Sequence, residues 1–145
     1  VALGYYLSLD LMYPIAHFYW AVSPTIALGI QPAYITKPGE TPDAKMTGYG
    51  GLLSANYFSE EYFRGFWIQG ATGFYRLTAT QPGITETLNC PAIHAVFGWR
   101  EDWAHGLNVG AGLGARFLSP LSGFVSDVKL STFHAIAQVE LGMSF

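Results

Sequence analysis

The chain closes on "FHAIAQVELGMSF", Phe133 to Phe145. Counting back from the last residue, Phe145, Met143, Leu141, Val139, Ala137, Ala135 and Phe133 are apolar at every second position. Between them stand Ser144, Gly142, Glu140, Gln138, Ile136 and His134. A period of two marks a β-strand, because successive side chains point to opposite faces. One face is therefore an unbroken apolar row, and the other is small, polar or charged apart from Ile136. The fold turns on which of these two faces meets the surrounding medium.

Composition narrows the answer. The 145 residues have the size of one domain, 1–145. Half of them are apolar and only 12% are charged, about half the usual share of a soluble domain. The mean hydropathy is +0.25. Yet no run of about 18 uncharged apolar residues escapes Pro, Gly or charge. The longest candidate, "IAHFYWAVSPTIALGI", carries Ser23-Pro24 at its middle. The apolar excess is thus spread over short segments. Aromatics reach 16% and glycines number 17, poor material for helices and common in barrels. A net charge of -3 with no basic stripe argues against a nucleic-acid partner. The single Cys90 excludes an intramolecular disulfide and a multi-cysteine zinc site. "VALGYY" at the start shows neither the basic nor the apolar region of a signal peptide.

Eight strand signals recur with turn signals between them. In order they are "VALGYYLSLDLM", "IAHFYWAV", "IALGIQPAYITK", "KMTGYGGLLSANYFS", "FRGFWIQGATGFYRLTA", "PAIHAVFGWR", "LNVGAGLGARFL" and the closing stretch. Tyr13-Pro14 reads as a tight turn after the first. "PGETPDA", "TQPGITETLN" and "SPLSGFVSDVKL" read as long loops, and Cys90 is expected in a loop. The fifth segment fits least well. Arg64, Phe66, Ile68, Thr72, Phe74 and Arg76 share one face, Trp67, Gln69, Ala71, Gly73 and Tyr75 the other; neither is cleanly apolar, which leaves a bulge or a different register open there.

The faces decide the architecture. Leu107, Val109, Ala111, Leu113, Ala115 and Phe117 line one side of the seventh segment, against Asn108, Gly110, Gly112, Gly114 and Arg116. A solvated β face is usually rich in Lys, Glu, Thr and Arg. Here the non-apolar faces hold Gly, Ala, Ser, Asn, Gln, His and Tyr, which suits the cramped interior of a narrow closed barrel. The apolar rows, with Tyr or Trp near their ends, suit a lipid-facing band. Segments of about 9–11 residues are long enough to cross the hydrocarbon layer. In lipid an open sheet edge would leave backbone groups unpaired, so the sheet must close. The expectation is an all-β fold, a closed antiparallel eight-stranded transmembrane β-barrel with up-and-down meander topology and both termini on the short-turn side.

With its terminal Phe145 and the apolar positions Val139, Leu141 and Met143, the last strand resembles the C-terminal insertion signal of bacterial outer-membrane β-barrels. The whole chain resembles the small eight-stranded class typified by the OmpA transmembrane domain and OmpX. That resemblance implies an outer-membrane location with periplasmic termini, and recognition by the barrel-assembly machinery. It also implies contact with outer-membrane lipids, including lipopolysaccharide. The role it suggests is non-enzymatic: structure, surface interaction, or anchoring of an envelope-protein partner. No cofactor and no metal site are expected.

The inward positions supply the candidate site. Asp10, His17, His94, Arg116 and His134 are placed near the long-loop end, Arg100 and Glu140 near the short-turn end. A buried charge must be paired, so Arg100 is expected with Glu140 and Arg116 with Asp10, as hydrogen-bonded plugs. Lumen packing is the favoured role for the histidines, because no two share a short spacing on one strand. A narrow pore for small or apolar solutes is the first alternative, with Gly110, Gly112 and Gly114 leaving room. Some small outer-membrane barrels modify lipid A by acyl hydrolysis or transfer. The deacylases among them use a His-x-Ser pair on one strand, whereas His94 is followed by Val96 and His134 by Ile136. A soluble lipocalin-like barrel with inverted faces is the remaining alternative, and Gly65–Trp67 is its weak echo. Arg64 and Arg76 are expected at opposite interfaces, near lipid head groups. Glu101, Asp102 and His105 read as a polar turn.

Overall fold

A computed structural model describes residues 2–8, 12–38, 43–102, 106–119 and 133–143. It contains strands β1 (Ala2–Ser8), β2 (Met12–Ala21), β3 (Ile26–Pro38), β4 (Lys45–Glu60), β5 (Arg64–Gln81), β6 (Ile84–Asp102), β7 (Leu107–Leu118) and β8 (Phe133–Met143). A 3-10 turn, Glu61–Phe63, joins β4 to β5. Every strand pairs antiparallel with the next, and β1 also pairs with β8, so the single sheet closes on itself.

Closure fixes the geometry of the wall. Following Cα partners from Arg100 through Gly110, Glu140, Gly4, Ile15, Ala33, Gly50 and Tyr75 returns to β6 at Cys90, ten residues from the start. That stagger over eight strands, at about 3.3 Å per residue and about 4.8 Å between strands, tilts the strands by about 40°. One ladder is interrupted for a chemical reason. β2 and β3 pair at Ile15–Ala33 and again from Phe18–Ile30, with Pro32 in the gap. Pro32 has no N–H to donate, while on its other side the β3–β4 ladder runs through Pro32–Gly51 unbroken.

Buried and exposed residues alternate along the strands with hardly an interruption. What changes along them is which face is apolar. In the lower part of β5 and β6, Phe66, Ile68, Phe74, Ile93, Phe97 and Trp99 point outward and are exposed. Gln69, His94 and Arg100 point inward and are buried there. Higher up the assignment reverses without any slip of phase. Leu77, Ala79, Leu88 and Cys90 are buried inside, and Arg76, Thr85, Thr87 and Asn89 are exposed outside. β4 does the same, with Met46 inside and Lys45 outside above Tyr49, and Ser54 and Asn56 inside below it.

The outer apolar zone is bounded by aromatics at both edges. Trp20, Tyr57, Phe66 and Trp99 ring one edge, and Tyr34, Tyr49, Phe74 and Phe117 the other. Tyr57 and Tyr49 are eight residues apart on β4. At about 3.3 Å per residue and about 40° of tilt, that separation is about 20 Å along the barrel axis.

Several sequence expectations need correction. Tyr13-Pro14 is not a turn: both residues lie within β2, and the first connection falls between Ser8 and Met12. "TQPGITETLN" is not a long loop. β5 runs to Gln81 and β6 begins at Ile84, leaving the two-residue turn Pro82-Gly83. Thr85, Thr87 and Asn89 belong to the outward face of two extended strands, where the Thr78 and Thr87 hydroxyls meet at 3.1 Å, and half-buried Glu86 pairs with buried Ala79 on the other face. Cys90 is accordingly a buried strand residue rather than a loop thiol. β5 contains no bulge between Arg64 and Arg76, and the only register shift near it lies between Phe58 and Glu60 of β4. The face bearing Arg64 and Arg76 looked mixed because it is an apolar band with an arginine beyond each edge.

Candidate functional site

The candidate site is the polar interior. It divides into two groups of inward side chains. In the lower group Glu140 is the hub. Its Oε1 accepts a hydrogen bond from the Tyr19 hydroxyl at 3.1 Å and another from Gln138 Nε2. His17 Nδ1 lies 3.1 Å from the same oxygen and also contacts the Tyr19 hydroxyl. Glu140 Oε2 faces Arg100 Nη1 at 3.8 Å. The Arg100 guanidinium also sits over the Phe58 ring, 5.7 Å from its centroid, and Phe63 packs against Phe58 from the short-turn end. His17, Arg100 and Glu140 are each at most 3% exposed.

His17 therefore belongs with Glu140, not with the histidines of the long-loop end as the sequence reading placed it. β2 starts three residues earlier than "IAHFYWAV" implies, and His17 is the Cα partner of Ala2. Ala2 in turn pairs with Gly142 near the end of β8.

The upper group is a row on three adjacent strands, His94, Arg116 and His134, which are successive Cα partners. All three are buried, and the Arg116 guanidinium lies 5.8 Å from the Tyr75 ring centroid. Asp10, the expected partner of Arg116, lies outside the described residues, as does Phe145. A bridge of amides links the two groups. His94 Nε2 meets Gln69 Oε1 at 2.9 Å. Gln69 Nε2 donates to Asn56 Oδ1 at 2.7 Å and to the Tyr19 hydroxyl at 3.1 Å. Asn56 Nδ2 donates in turn to Ser54 Oγ and to the Ala27 carbonyl, both at 3.3 Å. From His94 to Arg100 the polar atoms form one continuous chain.

Tyr19, Asn56, Gln69 and Gln138 thus hold the site together, and the list of charged and histidine residues missed them. The available signal was parity: Tyr19 shares the inward face of His17 and Gln138 that of Glu140, whereas β4 and β5 carry no candidate residue on the inward face beside Asn56 and Gln69. Which of them meet across the lumen depends on the stagger of the closed sheet.

Two of the interior glycines face large inward side chains. A Cβ at Gly112 would lie 3.0 Å from Trp67 Cζ2 and 2.9 Å from Val96 Cγ1. At Gly29 it would lie 2.7 Å from Tyr19 Cδ1. These glycines make room for buried Trp67 and partly buried Tyr19. An eight-stranded barrel is just wide enough to be filled in this way.

Chemically the network is a set of charges and amides joined by these contacts, with Arg100 Nε and Nη1 and Gln138 Oε1 making no hydrogen bond among the described residues. Val96 and Ile136 occupy the inward positions two residues after His94 and His134, and both are buried. Among the described residues no group of three or more His, Cys, Asp or Glu is arranged to hold a metal ion. Glu101 accepts a hydrogen bond from Trp99 Nε1 at 2.6 Å on the outer surface, and His105 lies outside the described residues. Arg64 and Arg76 are both exposed on one face of β5, and Arg64 pairs with Glu60 at 3.0 Å. Comparison with family models, with curated proteins and with solved structures gives no match.

Proposed function

We propose that this chain is an integral outer-membrane β-barrel, an eight-stranded closed wall crossing the bilayer, with a non-enzymatic role. That role is structural, or surface interaction, or anchoring of an envelope partner. The observation that carries the reading is the exchange of polarity along β4, β5 and β6. Alternation stays in phase, yet the outward face changes from apolar to polar at the level of Tyr49, Arg76 and Asn89. A protein surrounded by one solvent has no reason to switch faces. A wall that passes from hydrocarbon into water does.

The size of the exposed band supports the same reading. Leu53 is 66% exposed and Ile93 61%, in the middle of a zone edged by Tyr and Trp. Such residues favour the boundary between hydrocarbon and water. An aromatic-to-aromatic span of about 20 Å suits the apolar belt of about 25 Å found on barrels of this kind. The filled lumen favours a plug over a pore. Outward Val139, Leu141 and Met143 fit the role of an insertion signal read by the barrel-assembly machinery. The side carrying the residues 119–132 connection and the β5–β6 projection is then the cell surface, and the termini are periplasmic.

Heat-modifiable migration on a gel after refolding into detergent micelles is the direct test. A monomer that stays in solution without detergent and shows no such shift refutes the reading. Planar-bilayer recordings add the second half. The plugged lumen predicts no stable conductance steps, and discrete openings would favour the pore alternative.

A further inference from the structure

The outer wall carries a groove of about 710 Å³ across β2 to β6, inside the exposed apolar band. Its floor is made by the small outward residues Ala55, Gly70 and Ala95, which are Cα partners on adjacent strands. Trp20, Leu28, Leu53 and Ile93 form its walls. The lining is almost wholly apolar, and the volume falls in the range of small-ligand pockets, about 300–1,000 Å³. Gly70 is the deepest point of choice for a probe, because a Cβ built there meets nothing within 4 Å.

On the same face of β5, six residues above Gly70, stands Arg76. It is exposed, and among the described residues it makes no hydrogen bond or ion pair. Arg64 at the other end of the strand differs, since Glu60 neutralises it. Tyr49 and Asn89 flank Arg76 as its partners on the neighbouring strands. Six residues at about 3.3 Å each, tilted by about 40°, put the guanidinium backbone about 15 Å above Gly70 along the axis. That is about three quarters of the band of about 20 Å between Tyr49 and Tyr57, a distance along which one extended acyl chain can lie.

We propose that this groove and Arg76 together form a binding site for one membrane lipid with a phosphate-bearing head group. Its acyl chain lies over Ala55, Gly70 and Ala95, and its phosphate is held by Arg76 with Asn89 beside it. The site rests on the membrane reading given above. Charge complementarity selects the occupant: a guanidinium at the upper edge of a lipid-facing band, with exposed Phe74 and then the apolar trough below it on the same face, matches an anionic head on a hydrocarbon chain. Arg donates in a planar fork that suits phosphate oxygens.

The test is native mass spectrometry of the full chain in detergent, with phosphatidylglycerol and the diacylglycerol of the same chain length as probes. Wild type should retain one phosphatidylglycerol through detergent exchange and prefer it over diacylglycerol. Gly70→Phe should weaken retention at least tenfold by filling the groove, and Ala95→Leu should act in the same direction if Gly70→Phe fails to fold. Arg76→Gln should lower retention several-fold and erase the preference for the phosphate head. Ala135→Phe, on the same outward row but outside the groove, should match wild type. Millimolar inorganic phosphate should not displace the lipid. Equal retention by Gly70→Phe and Ala135→Phe, or an unchanged head-group preference in Arg76→Gln, overturns the site. In those cases a normal heat shift of the variants leaves the membrane reading standing. A chain that neither shifts nor enters micelles overturns both.

Discussion

Glu140→Gln is the sharpest probe of the interior. The change keeps the shape of the side chain and removes its charge. In the folded protein Glu140 is 2% exposed and faces Arg100, itself 3% exposed, at 3.8 Å. Removing one member of a buried ion pair costs about 3–5 kcal/mol, mostly because the other charge is left without compensation. Two features pull the value to the low end. Arg100 keeps its place over the Phe58 ring, an interaction of about 0.5–2 kcal/mol. The glutamine can still accept from Tyr19. A loss of about 3 kcal/mol is expected, read as a fall in the urea midpoint of refolded protein in micelles followed by tryptophan fluorescence. The double variant Arg100→Met with Glu140→Gln removes both charges and should recover at least half of that loss. The coupling in the cycle should exceed about 1.5 kcal/mol. A single-variant loss below about 1 kcal/mol, or a double variant no more stable than Glu140→Gln, would refute the claim that this pair is the electrostatic centre of the lumen.

Three further outcomes follow from the geometry. Leu53→Arg, in the middle of the outer band, should cost about 2–4 kcal/mol in a bilayer, while Thr87→Arg above the band should cost less than about 0.5 kcal/mol; equal effects in vesicle unfolding would contradict a lipid boundary between the two levels. Gly112→Leu should destabilise by about 1–3 kcal/mol, because its side chain must displace Trp67 and Val96, with no change in bilayer conductance. An increase in open current would show that Trp67 was not blocking the path. Cys90, buried in β6, should resist maleimide labelling in the folded protein and react fully in denaturant; fast labelling without denaturant would place it elsewhere.

Some of this was legible from local pattern. Parity along a strand depends only on the chain's own pleat, so the outward rows of β6, β7 and β8 could be read directly from letters. The alternation of Ile93, Phe97 and Trp99 against His94, Val96 and Arg100 is the same on the page and in the folded wall. Where parity alone was insufficient, the errors have one cause. The upper parts of β5 and β6 read as a loop in sequence because Thr, Gln, Glu and Pro lie close together, and local composition cannot tell a water-facing strand from a turn. The mixed face of β5 looked like a bulge because the sequence does not say that the surroundings change partway up.

The division into inward and outward residues is set by the chain's own pleat, since a period of two needs no partner strand. Tertiary structure decided who meets whom inside. A stagger of ten residues around the closed sheet brings His17 of β2 to Glu140 of β8 and places Gln69 of β5 between His94 and Tyr19. Those meetings depend on the pairing of all eight strands at once, and no single segment carries that information. The same holds for the outer wall, where Ala55, Gly70 and Ala95 become one trough only when β4, β5 and β6 lie side by side.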